Sequence, residues 1–300
     1  NNAYEGVANY IEQVDNGFVK DHDLDDRGTL FKHLAVDYPL MVNAWEFDQQ
    51  SPKDVSTVAD LQAFLDGIHQ SGPAKIQYLY DHVDLARFVD YQAASVLVHE
   101  NDHVAKNYCL YGDLYETGEW WFLPWDKDLT FGLNWGITNY GSVDPQAHPF
   151  YGDNDHQKIN RQYNYLIDAL LDVPQIKQMY LRRLRTLMDE LLQPAGTPYG
   201  QRYYENRIDQ YYVQLTSDPQ VLAQLGGATN LSRQLEDIKN KYLGDAGPNG
   251  WGRRTHLYVH HTAGSGYPDC AGIPAAQVGS PSIVFGAIDF NPVSHNQDEE

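Results

Sequence analysis

The sequence predicts an α+β protein, and three observations carry that expectation. Short alternating apolar stretches bounded by glycine lie in the first 36 residues. A second pair of such stretches surrounds Gly112 and Gly118. Apolar residues then recur at helical spacing through most of 160–243.

Taken in order, YEGVANYIEQV (4–14) and GTLFKHLAV (28–36) read as two strands flanking a turn or short helix within 16–26. From Ser51-Pro52 onward Val55, Val58, Leu61, Phe64, Leu65 and Ile68 fall at helical spacing, so a helix is expected to about Gln70. A second helix is expected from Asp84, with Leu85, Phe88, Val89, Ala93 and Val96 on one face, ending near Glu100. Tyr108 to Tyr111 and Trp120 to Leu123 form a hairpin, and PWDKDLTFG (124–132) is the loop that leaves it. Leu166, Leu170, Ile176, Tyr180, Leu184, Leu187 and Leu191 mark a helical stretch over 160–192 broken at Pro174, and further helices fit 202–215 and 229–243. After Gly244 the composition turns to Gly, Pro, Ala and Ser, which reads as a linker.

Composition excludes several classes of function. The chain has 300 residues, 42% of them apolar, enough for a folded core. Twenty-one Lys and Arg against 41 Asp and Glu give a formal charge of -20, which disfavours nucleic acid or an anionic membrane as partner and favours a cation or a basic protein segment. The same balance also serves as a solubility device in a secreted or salt-adapted protein. Cys109 and Cys270 are the two cysteines, far apart, so there is no disulfide framework and no Cys-x-x-Cys knuckle. No apolar run approaches the ~20 residues of a membrane helix, so no membrane insertion is expected.

Chemistry concentrates in Asn101-Asp102-His103-Val104-Ala105-Lys106-Asn107, an Asp-x4-Asn spacing between a helix and a strand. Protein kinases use that spacing in the catalytic loop, where the Asp orients the attacking hydroxyl or takes its proton and the Asn ligates a magnesium ion. Alone the pattern is weak, because both residue types abound in turns and caps. The hairpin strengthens it by returning Asp126 and Asp128 beside the loop, and Mg²⁺ needs only one or two carboxylates beyond its phosphate and water ligands.

At this point the chain resembles the CotH kinase family. NDHVAKNYCLY followed by WWFLPWDKDLTFG looks like that family's paired signature. YEGVANYIEQVDNGF resembles its Gly-Tyr strand leading to Glu-x-x-Asp, GTLFK its Gly-x-Leu-Tyr-Lys strand, and NYLIDALLDVPQIKQMYLRRLRTLMDELL its C-terminal helices. The resemblance implies a protein-kinase-like fold represented mostly by the hinge region and the helical C-terminal lobe, with the N-terminal lobe truncated. It implies ATP and Mg²⁺ or Mn²⁺ as cofactors, a protein substrate bearing a Ser, Thr or Tyr hydroxyl, and a secreted or cell-surface location. It also implies residue roles: Asp102 catalytic; Asn107, Asp126 and Asp128 metal-binding, with Asp126 the first choice of the two aspartates; Glu12, Asp15 and Lys32 nucleotide-binding. The expected organisation is a kinase-like domain over 1–245, a linker over 246–280, and the first strand of a lamin-tail-like domain over 281–300, the whole reading as a fragment of a larger protein.

Two rival readings remain at this level. One is a kinase-like surface or assembly module without catalysis, since fold does not secure function. The other is a zinc metallopeptidase, because His99-Glu100-Asn101-Asp102-His103 satisfies His-Glu-x-x-His, with Glu116 or Glu119 as a conceivable third ligand. Asn101-Asp102 reads as a helix end, and the zinc motif needs a continuous helix.

Overall fold

Alternation of side chains sets the sheet. The computed structural model describes residues 12–34, 41–100, 106–133, 164–245 and 252–263. Strands β1 (Thr29–His33), β2 (Phe47–Ser51), β3 (Tyr108–Gly112) and β4 (Trp120–Pro124) form one antiparallel sheet in the order β2-β1-β3-β4. Tyr108, Leu110, Trp120, Phe122 and Phe31 project to one face and join the main core; Leu30, Cys109, Tyr111 and Trp121 project to the other and join a smaller one.

Helix α1 (Asn16–Asp21) covers the small cluster with Val19 and Phe18, its first turn capped by Asp15, which accepts from the amides of Gly17 and Phe18. The main core is built on α2 (Val58–Ile68), α3 (Gly72–His82), α4 (Leu85–Leu97), α5 (Tyr165–Leu171) and α6 (Pro174–Leu187). Asp84 caps α4 by accepting from the Arg87 amide at 2.9 Å, and Phe88, Val89, Ala93 and Val96 give it the buried stripe that the sequence predicts. The outer helical layer is α7 (Tyr203–Thr216), α8 (Pro219–Gln224), α9 (Ala228–Glu236) and α10 (Arg253–Ala263). Both α6 and α9 run into π-helical turns, Met188–Leu192 and Asp237–Tyr242.

The hairpin forms where its glycines require it. A Cβ on Gly112 would lie 2.7 Å from the Trp120 ring. Beyond it Asp113 accepts from the amides of Glu116 and Thr117, and Gly118 takes φ +74, reversing the chain.

Four expectations are corrected. The helix expected from Ser51-Pro52 starts at Val58: Ser51 ends β2, and Val55 is exposed, so it belongs to no buried stripe. The helix expected to Glu100 ends at Leu97. Strand β2 and helix α3 are additions, both poor in buried apolar positions. Within the segment read as linker from 246 onward, Arg253–Ala263 is a helix whose first turn buries Arg253, Arg254 and His256, because the two arginines satisfy carbonyls at the ends of other helices. Of the strand expected over 4–14, residues 12–14 are not in a strand, and 4–11 lie outside the described residues, as do Asp102 and the lamin-tail-like 281–300. Among the described residues no helix is long and apolar enough to cross a membrane.

Candidate active site

The site grows from three pieces of backbone that meet where α4 ends and the hairpin opens. Helix α4 stops at Leu97, with Val98 as its C-cap, and His99 turns the chain away with φ +51. Asn107 lies immediately ahead of β3, so in the sequence His99 and Asn107 flank Asp102.

Register brings Asn107 and Asp126 to the same mouth of the hairpin. Tyr108 pairs with Pro124, and one step further the Trp125 amide donates to the Asn107 carbonyl at 3.2 Å. Asn107 has φ +60 and Asp126 has φ +53, and Asn and Asp are the residues other than glycine that best tolerate this conformation. Past Asp126 the chain crosses back to α4: the Phe131 amide donates to the Val98 carbonyl at 2.6 Å, and the Gly132 amide to the His99 carbonyl at 3.3 Å. One loop is thus tied to both ends of the segment 99–107. Of the seven described non-glycine residues with positive φ, four (His99, Asn107, Asp126 and Phe131) fall here, a concentration of disfavoured backbone typical of functional sites.

The oxygens differ in access. Asn107 is 7% exposed, whereas Asp126 and Asp128 are exposed. An amide oxygen and carboxylates are hard donors, and that donor set fits Mg²⁺ or Mn²⁺. Lys127, between the two aspartates, folds back over the Tyr91 ring with its ammonium 5.6 Å from the centroid.

Lys32 comes closer to this mouth than a general surface lysine would. It pairs across the sheet with Cys109, two residues from Asn107, and its ammonium lies 4.5 Å from the Trp125 ring centroid. Between them Cys109 is buried, and burial pushes its thiol up to about 12, so it is no nucleophile. Glu12 and Asp15, the other two residues expected at the nucleotide, lie at α1: Asp15 caps its first turn, and Glu12 pairs with His22 at 3.0 Å.

Of the two histidines in the zinc alternative, His103 lies outside the described residues. His99 lies beyond the helix in a left-handed conformation, is 1% exposed, and its Nδ1 is hydrogen-bonded to the Tyr242 hydroxyl at 2.9 Å. Glu116 and Glu119 sit at the opposite end of the hairpin, where Glu116 meets Arg27. Among the described residues no three His, Cys, Asp or Glu side chains converge as a metal site.

A cavity of about 480 Å³ opens beside the site between α1, α4 and the outer edge of β4, lined among others by Phe18, Tyr91, Glu100, Leu123 and Lys127. Sequence reasoning missed Tyr242, whose hydroxyl bonds the His99 side chain and whose ring meets Phe131. Tyr242 lies 143 residues from His99, and nothing local in the sequence joins them.

A helix, a hairpin and a returning Asp on an α+β scaffold, with Asp-x4-Asn spacing in the sequence between helix and hairpin, are compatible with a kinase-like protein. More particularly, the chain belongs to the CotH kinase family, whose model, described as CotH kinase protein, matches residues 1–242. No curated protein matches the chain.

Proposed function

We propose that this protein transfers a phosphoryl group from ATP, with a divalent metal, to a hydroxyl of a protein substrate at the cell surface or outside the cell. The observation that carries the reading is the meeting of Asn107 and Asp126 at one mouth of the hairpin, tied by the Trp125 amide and the Asn107 carbonyl. Membership of the CotH kinase family supports the reaction class.

In this reading Asn107 and Asp126 hold the metal, with Asp128 beside them, and the metal neutralises charge on the phosphates when bound. Asp102, on the segment between His99 and Asn107, orients the acceptor hydroxyl and takes its proton. Lys32 offers a point charge toward phosphate from the adjoining strand. The remaining parts of a kinase-like architecture, a hinge and a helical C-terminal lobe, are assigned on the same grounds.

Asp102→Asn and Asp126→Asn separate the two roles. Losing the loop carboxylate should lower the rate by roughly 10²- to 10⁴-fold while ATP affinity stays within a few-fold. Losing the metal ligand should weaken Mg²⁺-dependent nucleotide binding itself. Labelled ATP followed into protein, together with Mg²⁺-dependent ATP binding, reads both. Transfer at the wild-type rate by both variants of the intact protein would sink the reading, and intact binding without any transfer by the wild type would favour a silent module.

A further inference from the structure

We propose that Tyr242 is a positioning residue that holds the two loops of the site in register with one another; the proposal deepens the phosphoryl-transfer reading and rests on it. Tyr242 touches a residue of each loop. Its hydroxyl is hydrogen-bonded to Nδ1 of His99 at 2.9 Å, and the two rings stack with centroids 5.7 Å apart. His99 begins the segment that leads through Asp102 to Asn107. The same tyrosine ring meets Phe131 edge-on, with centroids 6.0 Å apart and planes at 83°. Phe131 lies in the loop that carries Asp126 and Asp128, and Tyr204 packs on it at 5.6 Å.

Burial makes the hydroxyl informative. Tyr242 and His99 are each about 1% exposed, and a phenylalanine would fill the same space without placing a polar group in the interior. A buried hydroxyl persists where its hydrogen bond is worth more than its desolvation, and here the partner is the imidazole of a residue held at φ +51. Such a backbone needs its surroundings to hold it. The Tyr242 hydroxyl holds the His99 side chain, and the Gly132 amide holds its carbonyl.

Tyr242 is itself fixed from behind. It closes the π-helical turn Asp237–Tyr242, and the carbonyl of the next residue, Leu243, accepts from Arg254 at 2.6 Å. Arg253, its neighbour in α10, donates to the Val96 carbonyl at 2.6 Å, three residues before His99. One C-terminal element therefore braces both Tyr242 and the end of α4. Transfer depends on near-contact alignment of reacting groups, so a shift of about 1 Å in either loop is enough to slow it strongly.

Tyr242→Phe in the intact protein is the decisive variant, because it keeps the ring against Phe131 and removes the hydroxyl that bonds His99. kcat should fall roughly tenfold to a hundredfold, with KM for ATP and the Mg²⁺ requirement within about twofold of wild type. Hydrogen exchange should quicken in 99–107 and stay unchanged in the sheet. Tyr242→Leu, which also releases Phe131, should in addition raise the Mg²⁺ requirement. Wild-type kcat and exchange in Tyr242→Phe would overturn the proposal, and so would a fall in kcat that merely follows the unfolded fraction. Should the wild-type protein transfer no phosphate, the functional reading fails by itself, and the exchange comparison still decides: unchanged exchange in 99–107 overturns the coupling.

Discussion

Asn107 joins two kinds of chemistry in one residue. Its carbonyl keeps the hairpin closed against Trp125, its backbone sits at φ +60, and its side chain is the amide expected to ligate metal. These roles can be separated because glycine occupies the left-handed region freely while alanine does so at about 1–2 kcal/mol. Asn107→Gly should leave the melting temperature near wild type and abolish most Mg²⁺-dependent nucleotide binding, roughly tenfold or more in affinity. Asn107→Ala should lose the same binding and also melt lower. Calorimetric titration with MgATP and a thermal melt check both, and wild-type affinity in Asn107→Gly would remove this residue from the metal site. Lys32 makes the complementary point. Its residue type alone suggests a solvated strand lysine, and only the pairing with Cys109 and the approach to Trp125 bring it to the site.

At the scale of elements, legibility follows how local the cause of structure is. Helix α4 and the hairpin β3–β4 can be read from the sequence because their stripes, caps and turn residues lie within the segments themselves: Asp84 at the cap, Tyr108 and Leu110 alternating with Cys109 and Tyr111, Gly118 at the reversal. The meeting of Asn107 with Asp126 inherits that clarity from the hairpin register. Helix α10 is illegible for the opposite reason. Glycines and prolines flank it, and two adjacent arginines suggest a solvated face, yet both are buried by partners far away in the chain. Arg254 donates to the carbonyls of Leu192, Gln193 and Leu243 and pairs with Glu205 at 2.6 Å, with both side chains within 1% of full burial. Arg202 lies farther from Glu205, at 3.4 Å, so removing Arg254 leaves that carboxylate only partly compensated, where a fully stranded buried charge costs about 3–5 kcal/mol. Arg254→Met should therefore lower stability by up to about 3 kcal/mol, and Glu205→Gln added to it should recover part of the loss. Urea unfolding of the two variants tests this, and an unchanged midpoint in Arg254→Met would show that α10 contributes nothing to the fold. It also follows that the structural unit includes residues beyond the 1–242 that match the family model.

For the whole molecule, charge acts on two length scales whose signs oppose each other. Locally, Lys239 sits between Asp209 at 2.8 Å and Glu236 at 2.6 Å. The Lys239 hydrogen bond holds Glu236 below its ordinary 4.5. For Asp209 burial pushes the other way, but its bonds to Lys239 and Tyr199 outweigh that and hold it below 3.8. Lowered carboxylates stabilise the fold above about pH 4 and lose that effect as pH falls through their folded values. Burial lowers Lys239, but its carboxylate bonds outweigh it and raise it above 10.5, so its effect is present below that pH and fades above it. Both carboxylates are about half exposed, so the cluster contributes on the order of 1 kcal/mol at most. Globally, a formal charge of -20 repels itself at pH 8 and approaches zero near the sequence pI of about 4.8. Salt screens both, weakening the attraction slightly and the repulsion over the whole surface. If the global term is the larger, adding about 0.3 M NaCl at pH 8 should raise the melting temperature, and the same addition near pH 4.8 should leave it flat or lower it. Lys239→Met should shift melting down at pH 7 and converge on wild type as pH falls through the lowered folded values of its two carboxylate partners. A protein whose melting temperature falls with NaCl at pH 8 would show that local ion pairs, rather than net charge, govern its electrostatic stability.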